Sequence, residues 1–271
     1  SDFSTKPIAG NRFGHSMDIS ADGEYLFVSS VEASDTFENQ GKVYVYKIEQ
    51  TKLLSDGTTT SWTLPFKGSY SDIDDSTTRT DTFWMTVDGE ILNPNDGSRY
   101  YSLDDSSNTV YININDDPIQ PEQVVQSNRY VLQQTLIAEV PKANGGFGAF
   151  ISANADGTEI GIASDKGDQK VFTTFDVRFR GDDSTRSDGS TTIYDFSTTF
   201  DKGATRFTTT ISETGKVEMF RRYNDFYLKD QDITSLDVKT GDGWGDALSV
   251  QEDFVFVAHV LPHLRGFNSE K

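Results

Sequence analysis

One pattern constrains this chain more than any other: an aromatic–glycine pair set directly before a β-hairpin, which occurs three times. It reads "RFGHSMDISADGEYLFVSS" at 12–30, "FGAFISANADGTEIGIAS" at 147–164 and "WGDALSVQEDFVFVAH" at 244–259. Each copy has alternating apolar and polar residues and a second, more apolar run; in the first two, Asp-Gly reverses the chain between them. Period-two alternation on both sides of a tight turn is the signature of an antiparallel hairpin. Three hairpins with one opening device predict an all-β chain of recurring units.

A second marker follows the first. "GKVYVYK" begins at Gly41 and is echoed by "GKVEMFR" at Gly215. Gly14 and Gly41 lie 27 residues apart, and Gly215 and Gly245 lie 30 apart. Together these spacings give a unit of 57 residues, a size suited to a four-stranded propeller blade with loops. The remaining intervals are longer, which predicts insertions at about 51–127 and 168–212. Both are rich in Thr, Ser, Asp and Tyr and read as exposed hairpins or small added sheets. The stretch 83–101, "FWMTVDGEILNPNDGSRYY", is a candidate for a further unit with weakened markers. Continued at the same spacing, the third unit would place its second-marker glycine at 272. The reading is therefore one propeller-like region over 1–271, a piece of a longer chain; alternatively "SDFST" at the N-terminus completes the last unit.

The marker residues suit a stack of sheets. In "KVYVYKI" (42–48), Val43 and Val45 share one face, while Tyr44, Tyr46 and Ile48 share the other. Two apolar faces predict a sheet covered on both sides. Phe13, Phe147 and Trp244 are expected to fill wedges between neighbouring sheets. The glycine after each lets the backbone approach where a Cβ would collide.

These residues resemble the FG-GAP repeat of integrin-type β-propellers, most of all the calcium-free form seen in bacterial, environmental and phage proteins. The resemblance is carried by "FGHSMDISADGEYLFVSSVEASDTFENQGKVYVYKI" and covers 11–50, with 144–165 and 213–258 following more loosely. The family's valine-glycine-alanine element is replaced by "FVSSV", "GIASD" and "FVAHV". It implies a β-propeller of four-stranded blades that works by contact. The expected role is a structural or interaction module, non-enzymatic, in a phage tail or baseplate or a cell-surface adhesin. Protein partners in a larger assembly, surface glycans, or both would then be its ligands, and its place extracellular or virion-associated. A β-sandwich or a fibrous β tail protein is the alternative fold. The alternative function is a secreted carbohydrate-active hydrolase with an unrecognised carboxylate pair.

Composition narrows the partners. The formal net charge is −19, with 43 acidic against 24 basic residues and no basic stripe. A phosphate backbone and an anionic bilayer would both repel such a chain, so neither nucleic acid nor membrane insertion is expected. No apolar run approaches membrane-spanning length. The chain has no cysteine, which removes disulfides, thiolate nucleophiles and cysteine-bound zinc.

Candidate chemistry is sparse. Calcium sites need oxygen ligands at alternating positions before a glycine. The acidic runs at 71–81, 93–97 and 180–189 lack that full alternation. The loop "EASDTFENQ" spaces Glu32, Asp35 and Glu38 three apart, and reads as a solvated turn. Arg180-Gly181-Asp182 matches an integrin-ligand tripeptide but reads as a turn in an acidic loop. His259 and His263 have zinc spacing for a helix, but Pro262 and the preceding strand pattern oppose one. His15 reads as a strand-edge residue with a hydrogen-bond partner. There is no Gly-x-Ser-x-Gly elbow, phosphate loop or dinucleotide fingerprint. The turns at Asp22 and Asp156 lack the Ser-x-Asp-x-Gly-x-x-Trp pattern of sialidase-type propellers. The sequence therefore assigns no catalytic, cofactor-binding or metal-binding residue; calcium remains the one cofactor to test.

Overall fold

A computed structural model describes residues 10–53, 56–65, 83–94, 99–104, 106–114, 119–174, 206–234, 241, 243–252 and 254–258. Every regular element among them is a β-strand, and no helix among them is long and apolar enough to cross a membrane.

The first unit opens with β1 (Phe13–Ile19), β2 (Tyr25–Ser30) and β3 (Lys42–Leu53), an antiparallel meander. The turn between β1 and β2 is fixed by Asp22, whose Oδ1 accepts from the Glu24 amide (2.9 Å) and the Ser20 hydroxyl (2.6 Å). After β3 the chain builds β4 (Ser61–Thr63), β5 (Phe83–Val87), β6 (Glu90–Ile91), β7 (Asn93–Pro94), β8 (Arg99–Asp104) and β9 (Thr109–Ile114). It then returns as β10 (Val125–Leu136), antiparallel along the length of β3. The first sheet thus has the order β1-β2-β3-β10-β5-β6, and a second sheet reads β4-β9-β8-β7.

β3 and β10 are both 12 residues long and serve two cores. Their outer halves, with β5, support a cluster of Phe83, Met85, Val87, Val110, Ile112 and Val125. Their inner halves belong to the unit. The stretch 83–101 therefore forms no unit of its own. β5 and β6 extend the first sheet at β10, and β8 joins the second, because pairing with distant strands decides where each segment goes.

The second unit repeats the first. β11 (Phe147–Ala153), β12 (Glu159–Ser164), β15 (Lys216–Tyr223) and β16 (Phe226–Ile233) pair in that order. Between β12 and β15 rises a separate hairpin, β13 (Gln169–Thr174) with β14 (Arg206–Ile211). A third unit shows β17 (Ala247–Val250) and β18 (Val255–Ala258).

The units pack face to face, and strand alternation shares out the side chains. On β15, Phe220 faces the first unit, while Val217 and Met219 face the third. The first junction is filled by Tyr25, Phe27, Val43 and Val45 on one side and Phe147, Ile151, Ile160, Ile162 and Phe220 on the other. Ala163, Val217 and Met219 meet Val250, Trp244 and Leu248 at the second.

Both junctions use the same contacts. A Cβ on Gly41 would overlap the Phe147 backbone, and one on Gly215 would overlap the Trp244 backbone in the same way. A Cβ on Gly148 would come within 2.7 Å of Ser29 Cβ and 3.0 Å of Val43 Cγ2; on Gly245 the distances to Ala163 and Val217 are 2.9 and 3.0 Å. Phe147 N–H donates to Gln40 O (3.0 Å), and Trp244 N–H donates to Thr214 O (2.7 Å). Asp18 accepts from the Ala153 amide (2.7 Å) as Ser152 accepts from the Val250 amide (3.0 Å). Glycine is required here because all three backbones of the pair run at positive φ, +83° at Gly14, +93° at Gly148 and +98° at Gly245.

The first unit departs from expectation on its outer face. Phe147 is fully buried, but Phe13 is 41% exposed and packs on the Tyr44 ring, 5.6 Å between centroids. A Cβ on Gly14 would meet nothing within 4 Å. The first sheet is covered on the face carrying Val43 and Val45. Its other face leaves Phe13, Met17 and Ile19 exposed.

Candidate functional site

The junction between the first two units holds the richest set of charged groups among the described residues. Glu218, on the face of β15 turned toward the first unit, is fully buried. Its Oε1 accepts from Lys216 Nζ (2.9 Å) and from the Glu139 amide (3.2 Å); its Oε2 has no hydrogen-bond partner among the described residues. Lys216 also reaches Asp232 (3.2 Å). Lys229 on β16 binds Glu139 and Asp232 (3.0 Å) and stands 4.0 Å from Glu218. Three carboxylates and two ammoniums therefore form one knot across the ends of β10, β15 and β16.

The environments push the carboxyls apart. Burial raises the pKa of Glu218, and the Lys216 charge and hydrogen bond offset only part of that. Glu139 is lowered by its hydrogen bond and ion pair with Lys229. Ligand-type oxygens of Glu139, Glu218 and Asp232 lie within 4.8 Å of one another, so this is the trio among the described residues that could hold a cation. Lys216 and Lys229 already supply the positive charge at that position, and a divalent ion would have to displace or neutralise them.

Beside the knot lies a cavity of about 230 Å³, lined in part by Gln40, Lys142, Ser164, Asp168, Thr210 and Lys216. Lys142 Nζ donates to Asp168 (2.6 Å). Gln40 is buried, its Oε1 accepts from the Phe37 amide (2.9 Å), and its Nε2 has no partner among the described residues. Small polar groups could be held here. No nucleophile–base pair is assembled among these residues.

At the other end of the junction the groups are locked to each other. Asp225 accepts from Tyr25 (3.0 Å) and Lys47 (2.6 Å), and Arg222 lies 4.3 Å above the Tyr25 ring. The Gln134 amide pairs with the Tyr227 backbone in both directions, at 2.7 and 2.9 Å. The Tyr227 hydroxyl donates to Gly157 O. These contacts tie β10 to β16 and satisfy polar groups that the packing would otherwise strand.

The residues singled out from sequence do not converge. Glu32 pairs with Arg12 (3.4 Å) and Asp35 with Lys42 (3.3 Å), so two of the loop's three acids are engaged with separate cations. His15 is exposed, its Nδ1 3.1 Å from Arg12 Nη2. Asp22 and Asp156 hold their turns, each with its pKa lowered by hydrogen bonds from Ser20 and Thr158 respectively. The acidic runs 71–81 and 180–189, the Arg-Gly-Asp tripeptide, His259 and His263 lie outside the described residues, as do 95–97 of the third run. Sequence reasoning missed Glu218 and Gln40. The only signal was an acid inside the apolar run "KVEMF", and a glutamine directly before the marker glycine.

No family model, curated protein or solved structure matches the chain.

Proposed function

We propose that this chain is a non-enzymatic structural and interaction module, part of a β-propeller with FG-GAP-like blades. The observation that carries the reading is one sheet-to-sheet contact made twice, Gly41 against Phe147 and Gly215 against Trp244, each with a matched glycine behind the aromatic residue. A contact that repeats with the same hand generates a curved stack of blades. The acidic, cysteine-free composition and long inserted hairpins favour a virion or cell-surface setting, where rigid scaffolds carry binding loops. Protein neighbours in an assembly and surface glycans are the partners this reading names.

One observation favours a second reading, a carbohydrate-active hydrolase: Glu218 and Glu139 are neighbouring carboxyls shifted in opposite directions. It ranks below the first because Glu218 is sealed from solvent and both acids are already bridged by lysines. A glycosidase pair must instead face a substrate across about 5 Å or more. The test is a glycan array run beside a hydrolysis assay on the same sugars. Retention without turnover supports the module. Turnover abolished by Glu218→Gln replaces it with the enzyme.

A further inference from the structure

β15 and β16 bring one amine and two carboxyls together on a single face. Lys216 and Glu218 are two apart on β15 and so share that face, and Asp232 is the residue of β16 directly opposite Glu218. Lys216 Nζ stands between the carboxyls, 2.9 Å from Glu218 Oε1 and 3.2 Å from Asp232 Oδ1. Lys216 and Glu218 are both buried, and Glu218 Oε2 has no hydrogen-bond partner among the described residues. Glu218 does not line the neighbouring cavity, so this acid and amine meet each other and not a bound substrate. Burial raises the pKa of Glu218, which suits a group that takes up a proton and hands it on. Lys229, the other amine, is engaged by Glu139 as well as by Asp232.

We propose that Lys216 and Asp232 condense after folding into an amide that joins β15 to β16, with Glu218 carrying the proton. Lys216 Nζ gives one proton to the Glu218 carboxylate, and the free amine attacks Asp232 Cγ. The N–Cγ bond forms, and Glu218 returns the proton to an Asp232 oxygen. That oxygen takes a second proton from the nitrogen and leaves as water. One proton stays on the amide nitrogen, Glu218 is regenerated, and no outside reagent is needed. Two things drive the step. The fold holds amine and carboxyl in contact, which replaces an encounter in solution. Condensation also removes two charges whose desolvation is costly. β16 is the outermost strand of its four-stranded sheet, so the amide pins an edge strand. In a chain without cysteine it does the work that a disulfide does elsewhere. The inference goes beyond the module reading and does not depend on it, because the bond forms whether or not the chain binds or cleaves a sugar.

Intact-mass spectrometry of the purified full chain, kept at neutral pH and then denatured, tests it. The expected mass is one water below that of the sequence. Trypsin should no longer cut after Lys216, and tandem spectra should show a branched peptide joining residues 207–221 to 230–239 through Lys216 and Asp232. Lys216→Arg keeps the charge and should restore the full mass. Glu218→Gln leaves both reacting groups in place and should lower the linked fraction by about tenfold or more. An unmodified mass for the parent chain overturns the proposal whatever the variants do. So does a branch mapped to Lys229. A water loss that mild base reverses also overturns it, since that marks a succinimide at an Asp-Gly turn and not an amide. A linked fraction in Glu218→Gln equal to the parent's removes Glu218 from the reaction and overturns the mechanism with it.

Discussion

Two marker glycines, both at positive φ, sit in opposite surroundings. At Gly215 a methyl group would run into the Trp244 backbone, and φ is +78°. At Gly14 φ is +83° but the space is open. Gly215→Ala adds a steric conflict with backbone to the conformational strain and is expected to cost about 3 kcal/mol or more. Gly14→Ala carries the strain alone and is expected to cost about 1 kcal/mol in dilute solution. Urea unfolding of both variants checks the contrast, and equal losses would mean that Gly14 too is pressed against a neighbour. The buried Glu218 makes a second prediction. Its pKa is raised in the folded chain, so the unfolded chain gives up the proton first and stability falls as pH rises from the unfolded value through the folded one. Glu218→Gln removes that fall. The stability of the variant relative to the parent should therefore increase as pH rises above about 4.5, measured by urea unfolding at a series of pH values. A flat difference would show that Lys216 compensates the buried charge in full.

At the scale of strands, β3 and β10 belong to two cores at once, and the polar row Gln50–Asn128–Thr86 crosses the sheet where one gives way to the other. Met85 is fully buried in the inserted core and Phe147 in the junction between units. Met85→Ala should cost about 2–5 kcal/mol by leaving a cavity, and Phe147→Ala about 3–5 kcal/mol. Hydrogen exchange separates them. With Met85→Ala, protection should drop in 83–87, 99–114 and 125–129 and persist in 147–164; with Phe147→Ala the loss should cover both units. Uniform loss in both variants would mean one cooperative core. This division also shows how far the sequence could be read. The aromatic–glycine pair, the Asp-Gly turns of the first two hairpins and the Gly-Lys-Val strands were legible because each depends on neighbours within a few residues. Phe13 was misplaced because whether a front is covered depends on what lies across it. The 83–101 stretch was ambiguous because β5 takes its place in the first sheet by pairing with the distant β10, which local pattern does not encode. Glu218 and Lys216 were invisible as a pair to Lys229, Asp232 and Glu139 for the same reason: strand pairing and the return of β10 bring them together.

Across the whole molecule, a net charge of −19 competes with the ion pairs that cross the junctions. The two respond to salt with opposite sign. Self-repulsion among exposed acids is long-ranged and is screened as the Debye length falls from about 30 Å at 0.01 M to about 8 Å at 0.15 M. The Lys216–Glu218 pair is buried and short, 2.9 Å, so salt weakens it little. Exposed pairs such as Arg12–Glu32, 3.4 Å apart, contribute little at any ionic strength. Repulsion should therefore dominate the response, and the melting temperature should rise between those two salt concentrations, by about 2–4 °C for each kcal/mol of repulsion removed. Scanning calorimetry at the two ionic strengths measures this effect. A melting temperature that falls with salt would mean that attraction between paired charges, not packing against a uniformly repelling surface, holds the sheets together.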